Sequence, residues 1–557
     1  MPIPKMQIKT DRVEKNIDRE NGKINIEKKS YGTNDNDVDV TSQISNTGDV
    51  LENTIGEFGR WQCQISIMMS LLLLPLAWIQ LGMVFLAPPT EFTCKQPVIP
   101  DSIIDKWPEI IGSSDMGIKP GSCLIKDPTS KKGDSMIPCP WGFEYSDSIT
   151  NSSIITEWDL VCEREYLLEF AQLAMVFGVM CGGLIFGIIA DKVGRKPVLS
   201  FSIFLQTICG LISAVIPWYY GFVTSQFLLA LANGGTMVTS FVICMEIVGC
   251  QWRTITPILY HISAGIGSAI LAAIAYYLKD WRQLQLGLGI LGAIYIIYIW
   301  TSTESPRWLL TVGRRREATV ILDKATELNG TNKTSIIKIL EEWSRLNEET
   351  NTQVGLSAFV TNSELLKRIF LLGVNCLISD LCFYGFSQHF GKFFDNIYIS
   401  VALQGLLYSL SGLVAVVIVN RNGRRQSIII SSCFTGLCFF ALLMVSPNDW
   451  VNILFAVTGL INMAVSHPVL YLLSGELFPT TLRASAVGIC MMFSKVGALL
   501  ASLVISTAEV AWYIPLVVFG CLSFLQVLLV LPLPETNNYD LPEAIDEISE
   551  EKKKSVA

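Results

Sequence analysis

Twelve long apolar runs, separated by short polar breaks, limit what this chain can become. They lie near 64–87, 166–190, 197–217, 221–248, 254–278, 284–303, 368–388, 397–419, 427–446, 450–473, 485–508 and 512–533. Each approaches the ~20 residues that an α-helix needs to cross a bilayer's hydrocarbon core. Lipid offers backbone groups no partner, so such a run pairs its own amides and carbonyls within one helix. The reading is an all-α membrane protein with twelve transmembrane helices. Composition agrees, with 51% hydrophobic residues, 16% charged residues and a mean hydropathy of +0.45. The net charge of −8 sits in tails and loops and carries no nucleic-acid signature.

Charges at the ends of these runs occur twice at nearly constant spacing. Glu246 and Arg253 return as Glu476 and Arg483, an offset of 230. Asp191-Lys192-Val193-Gly194-Arg195-Lys196 returns as Asn420-Arg421-Asn422-Gly423-Arg424-Arg425, an offset of 229, and Glu304 is echoed by Glu535 at 231. A repeat of this length in a membrane chain implies two pseudo-symmetric six-helix halves around a central site, the plan of many carriers. The division expected is a cytoplasmic tail over 1–60, a first half over 61–303, a linker over 304–366, a second half over 367–534 and a tail over 535–557.

Loop charge sets the orientation. Lys192, Arg195 and Lys196 follow the second run, and Arg421, Arg424 and Arg425 follow the eighth, whereas Pro217–Tyr220 and Pro447–Asp449 carry no Lys or Arg. Positive loops stay inside, so both tails are expected in the cytoplasm. The first tail, polar to about residue 55 and without an apolar cleavage core, reads as disordered.

Residues 88–165 then face outward. Their four cysteines, Cys94, Cys123, Cys139 and Cys162, imply two disulfides with three connectivities open. Asn151-Ser152-Ser153 is a glycosylation candidate there, while the motifs at Asn329 and Asn332 fall on the inner side and are expected to stay unmodified. The other eleven cysteines read as small hydrophobes. In the linker, Arg316–Leu328 has helical spacing, and Glu341–Arg345 starts a second turn.

Gly187-x-x-x-Asp191-Lys192-x-Gly194-Arg195-Lys196 resembles the loop signature of the major facilitator superfamily. Cys139-Pro-Trp-Gly-Phe-Glu-Tyr145 and Ile155-Thr-Glu-Trp-Asp-Leu-Val-Cys162 resemble the outer loop of solute carrier family 22, the organic cation, anion and carnitine transporters. Trp281-Arg282, Glu304-Ser-Pro-Arg-Trp-Leu309 and Gly475-Glu-Leu-Phe-Pro-Thr480 match the same family, so the resemblance spans roughly residues 56–536. Sugar porters share several of these signatures but not the long cysteine-bearing loop. The resemblance implies the major facilitator fold, a plasma-membrane setting and alternating access. It also implies that Asp191, Arg195, Glu246, Arg253, Glu304, Arg307, Arg424, Glu476 and Arg483 form gating clusters that latch the inner face. Glu246 and Arg253 stand two helical turns apart, as do Glu476 and Arg483, so each is expected to meet the Asp191–Lys196 or Asn420–Arg425 loop of its own half. Asn420 in place of a second aspartate implies a weaker second latch.

Ionisable residues deep in a span cost ~2.5–3.5 kcal/mol each on insertion and default to functional candidates. Asp380 lies 11 residues into the seventh run and Lys495 lies 11 into the eleventh. At 1.5 Å per residue both are about 16 Å deep, near the midplane where such carriers bind substrate. Lys495 falls where the anion and carnitine members of the family carry a basic residue, which implies a substrate with a negative group. Asp380 suits an amine, so the pair suits a zwitterion, carnitine-like or amino-acid-like. The alternative is that the two residues only pair with each other. Tyr384, Phe383, Phe386 and Tyr471 are aromatic candidates for a cation. His467, beside Pro468, is a candidate proton carrier, and Gln172, Asn233 and Gln404 are weaker polar candidates.

A pump is disfavoured because no phosphate-binding Gly-x4-Gly-Lys-[Ser/Thr] occurs. No metal-ligand cluster or resident cofactor is expected, nor an enzyme, with three histidines in the whole chain. The reading is a polyspecific or metabolite-selective secondary transporter of small organic ions in the lipid bilayer, co-transporting Na+ or H+ if any ion. An organic cation transporter is the alternative, and a sugar porter or a non-transporting receptor is more remote.

Overall fold

The computed structural model describes residues 50–95, 121–126, 136–139, 141–145, 151–331, 357–391, 393–394, 396–445, 450–537 and 541–542. The first tail, Asn332, Glu341–Arg345 and Pro447–Asp449 lie outside these residues.

Every apolar run is a helix. In the first half these are α1 (Arg60–Leu86), α2 (Glu165–Val193), α3 (Arg195–Val215), α4 (Tyr219–Glu246), α5 (Ile255–Tyr277) and α6 (Trp281–Thr301). The second half contains α7 (Ser363–Gly391), α8 (Ile397–Asn422), α9 (Arg424–Met444), α10 (Trp450–Glu476), α11 (Arg483–Ser506) and α12 (Ile514–Val530). The first eleven are long and apolar enough to span a bilayer, and α12 is shorter at 17 residues.

Several helices run past the apolar pattern into charged residues: α2 to Val193, α8 to Asn422 and α10 to Glu476, while α3 and α9 begin at Arg195 and Arg424. Of these charges Asp191, Arg195, Arg424 and Glu476 are paired within the protein. Gly194 alone separates α2 from α3, at φ +117°, and Gly423 separates α8 from α9 at φ +81°. A Cβ on Gly194 would stand 2.5 Å from Glu304 Oε2. Glycine is therefore required twice over, for its backbone angle and for the carboxylate seated against it. That carboxylate accepts the first amides of α3, Arg195 N at 2.9 Å and Lys196 N at 3.1 Å. Glu535 repeats the arrangement at α9, accepting Arg424 N at 2.9 Å and Arg425 N at 3.0 Å. A negative charge at a helix N-terminus satisfies orphan donors and the helix dipole together. Burial raises the Glu304 carboxyl above its ordinary value, against the lowering effect of these amides and of Arg195.

The halves meet along two helix pairs, α2 with α11 and α5 with α8. Both pairs approach at glycine: a Cβ on Gly488 would collide with Gly183 O, and one on Gly405 would stand 2.5 Å from Gly265 O. Small residues let membrane helices pack backbone to backbone, where no hydrophobic force drives them together. The apolar core of the second half splits into two clusters, around Phe478 and Leu482 and around Phe386, Phe439 and Phe519.

The segment between α1 and α2 carries short strands β1 (Phe92–Cys94), β2 (Leu124–Lys126), β3 (Met136–Pro138) and β4 (Phe143–Tyr145). β1 pairs antiparallel with β4, and β2 with β3. Of the three connectivities left open, the disulfides take Cys94–Cys139 and Cys123–Cys162. The Glu157-Trp158-Asp159 stretch docks on the first half. Arg282 forks onto Glu157 and donates to Ala214 O and Ile216 O, and the Trp158 ring packs against Phe222 and Trp281. Tyr145 donates to Asp159 at 2.9 Å; burial first, then that carboxylate, raises its phenol above the ordinary value. Asn151 is exposed.

The linker forms Arg315–Asn329, closed by Gly330 at φ +74°. Ala318, Leu322 and Ala325 recur on one face and are buried, as an amphipathic helix requires. Asn329 is fully engaged, accepting Trp61 N at 2.9 Å and donating to Ile55 O at 3.0 Å and Gln62 Oε1 at 2.8 Å.

Candidate functional site

A cavity of about 500 Å³ lies between the halves. It reaches from Asp380, Lys495, His261 and His467 toward Pro89, Phe394 and Ile397, near the end that carries the disulfides. The second half supplies its charge. The first half supplies mainly apolar walls from α1 (Leu73, Leu76, Leu81) and the polar side chains Gln80, His261 and Ser268.

Asp380 and Lys495, placed at equal depth by counting residues, are adjacent: Lys495 Nζ lies 3.6 Å from Asp380 Oδ2. Both are buried, with 1% and 6% of their surfaces exposed, yet both line the cavity. Pairing and ligand access are therefore not alternatives here. His467 Nε2 stands 3.0 Å from Asp380 Oδ1, and Ser494 donates to Oδ2. Lys495 Nζ also lies 5.8 Å from the centre of the Tyr384 ring. On its other side, His467 Nδ1 is 3.3 Å from the Tyr408 hydroxyl.

Phe383 and Tyr384 line the cavity as expected, and so does Gln404, which is held by Ser387 at 2.6 Å. Tyr471 does not line it. Its hydroxyl reaches Ser494 at 3.3 Å, behind Asp380, so its role is to hold that serine. Phe386 stacks on Phe439 with ring centres 3.7 Å apart, inside the core. Asn233 ties α4 to Leu76 O of α1 at 3.2 Å, and Gln172 is exposed on α2. α10 continues through Pro468. His261 and Tyr408 line the cavity without having been singled out by sequence. His261 carries the same signal as His467, one of three histidines and within an apolar run, and was overlooked; nothing in the sequence marks Tyr408. Among the described residues no group of three or more His, Cys, Asp and Glu could hold a metal.

Past the charged layer the cleft is closed by packed rings, Phe241 against Tyr260, His261 and Tyr471. Beyond them lie the repeated charges. Arg195 reaches Glu246 at 3.1 Å, Asp191 at 3.2 Å and Thr480 O of the other half at 2.8 Å. Asp191 accepts Ala484 N at 3.2 Å and Ser485 N at 2.7 Å, capping α11 across the interface. Arg307 donates to Glu246 O at 3.1 Å, and Arg253 is buried nearby.

One expected pairing is different. Arg483 does not turn to the Asn420–Arg425 loop of its own half; it crosses to Glu246 at 3.0 Å. Glu246 is thus shared by Arg195 and Arg483. The cause is geometric: the first turn of α11 packs on the end of α2, so the nearest buried carboxylate belongs to the other half. In the second copy Arg424 reaches Glu476 at 3.1 Å and crosses to Thr254 Oγ1 at 2.6 Å.

The signature of the sugar (and other) transporter family matches residues 159–548, more than two thirds of the chain. The chain belongs to that family. An organic cation transporter protein of Drosophila melanogaster is 29% identical over 509 residues, covering 88% of this chain and 93% of that one. Solute carrier family 22 member 2 of Homo sapiens is 28% identical over 530 residues, covering 90% and 94%. These relatives place the chain in the solute carrier 22 branch, as a transporter and not an enzyme. In fold, the chain is similar to the major facilitator proton:xylose symporter XylE bound to 6-bromo-6-deoxy-D-glucose. Identity is 15%, the TM-score 0.63, and the match covers 87% of this chain and 98% of that one. The twelve-helix major facilitator fold is thereby established, and the chain is a multi-pass membrane protein.

Proposed function

We propose that this transporter carries small organic zwitterions, a quaternary ammonium or amine joined to a carboxylate, by alternating access across the plasma membrane. The observation that carries the reading is the Asp380–Lys495 pair opening onto the cavity. An uncompensated buried charge costs several kcal/mol. A zwitterion replaces one pair by two, its carboxylate on Lys495 and its cation on Asp380 near the Tyr384 and Tyr408 rings, and leaves no charge alone. A lone cation taken by Asp380 would strand Lys495. The cluster of cross-half ties at one end, with the cavity reaching toward the other, fits a carrier held shut on one side.

Both tails are assigned to the cytoplasm, because the spans are even in number and the Lys/Arg-rich loops lie at the latched end. A second reading, an organic cation carrier, is favoured by the name of the fly relative.

Counterflow in proteoliposomes separates the two. Liposomes preloaded with unlabelled glycine betaine should accumulate labelled betaine and exclude tetraethylammonium. Lys495→Ala should weaken betaine at least tenfold, about 1.4 kcal/mol, while leaving any cation flux intact. Accumulation of tetraethylammonium without betaine would replace the zwitterion reading by the cation one.

A further inference from the structure

The Asp380 carboxylate has two basic neighbours and needs only one. Lys495 lies 3.6 Å from one oxygen and His467 3.0 Å from the other. The remaining groups around His467 come from every helix packed on it. They are Tyr384 on α7, Tyr408 on α8 at 3.3 Å from Nδ1, and His261 on α5 with ring centres 5.8 Å apart. Lys495 stands on α11, and Tyr471 on α10 itself has its ring centre 5.0 Å away. None of these brings a second carboxylate. With Asp380 and Lys495 ionised and His467 neutral, the charges sum to zero.

A zwitterion entering this site keeps the sum at zero. A monoanion does not: as Lys495 turns to the ligand, Asp380 is left with a neutral imidazole and the cleft holds one unpaired negative charge. A proton on His467 restores the balance, with Nε2–H donating to Asp380 and Nδ1–H to the Tyr408 oxygen. Two imidazolium rings 5.8 Å apart would repel each other, which limits the uptake to one proton.

We propose that His467 is a conditional proton site: a monoanionic carboxylate binds with one proton taken from water onto His467, and a zwitterion binds with none. No covalent bond of the ligand changes, and the proton leaves with the ligand on the far side. The inference rests on the zwitterion reading of the same cavity, and it makes proton coupling a property of the ligand's charge.

Two isosteres test it on the purified full chain in detergent. Glycine betaine and 3,3-dimethylbutanoate have the same shape and differ only in the cationic nitrogen. Calorimetry in buffers of different ionisation enthalpy counts protons bound with each. We expect about one proton with 3,3-dimethylbutanoate and none with betaine. Wherever the proton is taken up on binding, affinity for the anion should fall roughly tenfold per pH unit while that for betaine stays level. In His467→Gln the anion's proton count should drop to zero. Anion binding without a proton in the unmodified chain, or betaine binding with no anion binding at all, overturns the proposal and leaves the zwitterion reading standing. Binding of neither probe at millimolar concentration overturns both.

Discussion

Lys495 and Asp380 illustrate how far single residues can be read. A charge in an apolar run is costly enough to announce itself, and equal depth along two helices predicted a shared level. What depth cannot give is rotation about the helix axis. Asp380 and Lys495 turn toward each other at 3.6 Å on the second half's wall of the cleft, whereas Tyr471, also within a span, points to Ser494 behind Asp380. His261 was legible by the rule that picked out His467, a histidine inside an apolar run, but it lacks a neighbouring proline or charge to draw attention to it. The pair's coupling is measurable. Asp380→Asn leaves Lys495 and His467 without their carboxylate, and removing one partner of a buried pair typically costs about 3–5 kcal/mol. The unfolding midpoint of the purified protein should fall in Asp380→Asn and in Lys495→Met. It should recover in the double variant, which also loses betaine counterflow. Additive losses in the double variant would mean that the two groups do not support each other.

Helices were legible to within a few residues, because the bilayer sets both their length and their composition. Their contacts were less so. That α5 meets α8 and α2 meets α11 depends on backbone approach at Gly265, Gly405, Gly183 and Gly488, and glycines in membrane helices are too common to single these out. The glycines of the repeated loop signature, Gly194 and Gly423, stood out because the motif repeats. Their need became plain only with the carboxylates of Glu304 and Glu535 seated where a side chain would stand. The α5–α8 contact makes a sharp prediction. At Gly405 a Cβ would stand 2.5 Å from a backbone carbonyl, which cannot move aside as a flexible side chain can. Gly405→Leu should therefore spread the interface, at a typical overpacking cost of about 1–3 kcal/mol, and cut counterflow more than tenfold. Gly292 on α6 has nothing within 4 Å of where a Cβ would stand, so Gly292→Leu should leave counterflow unchanged at equal protein level. Equal rates in the two variants would show that the tight approach is irrelevant to the cycle.

At the scale of the whole molecule, the repeat is symmetric in its helices and unequal in its charges. The duplicated signature was legible as two charge clusters, but sequence alone could not show which half each arginine serves. Arg483 crosses to Glu246, and Asp191 crosses to the first amides of α11, so the first copy ties one half directly to the other. If this end must open during the cycle proposed above, these contacts have to break. Removing one therefore destabilises the shut state against its alternative, and a ligand or mutation shifts such an equilibrium only by its differential energy between the states. A hydrogen bond to a charged group contributes about 1.5–3 kcal/mol, enough for a tenfold to hundredfold shift in population. The reporter is Gln388, which lines the cavity toward the disulfide-bearing end. A cysteine placed there, Gln388→Cys, should react readily with an impermeant thiol reagent added from that side. Adding Arg483→Ala should slow the labelling at least tenfold and slow transport, at equal surface level. Arg425→Ala should leave the labelling rate as it was, since that side chain turns to Leu531 O within its own half. Unchanged labelling in the Arg483→Ala background would mean that the buried bridge to Glu246 holds the fold together but does not decide which end of the carrier is open.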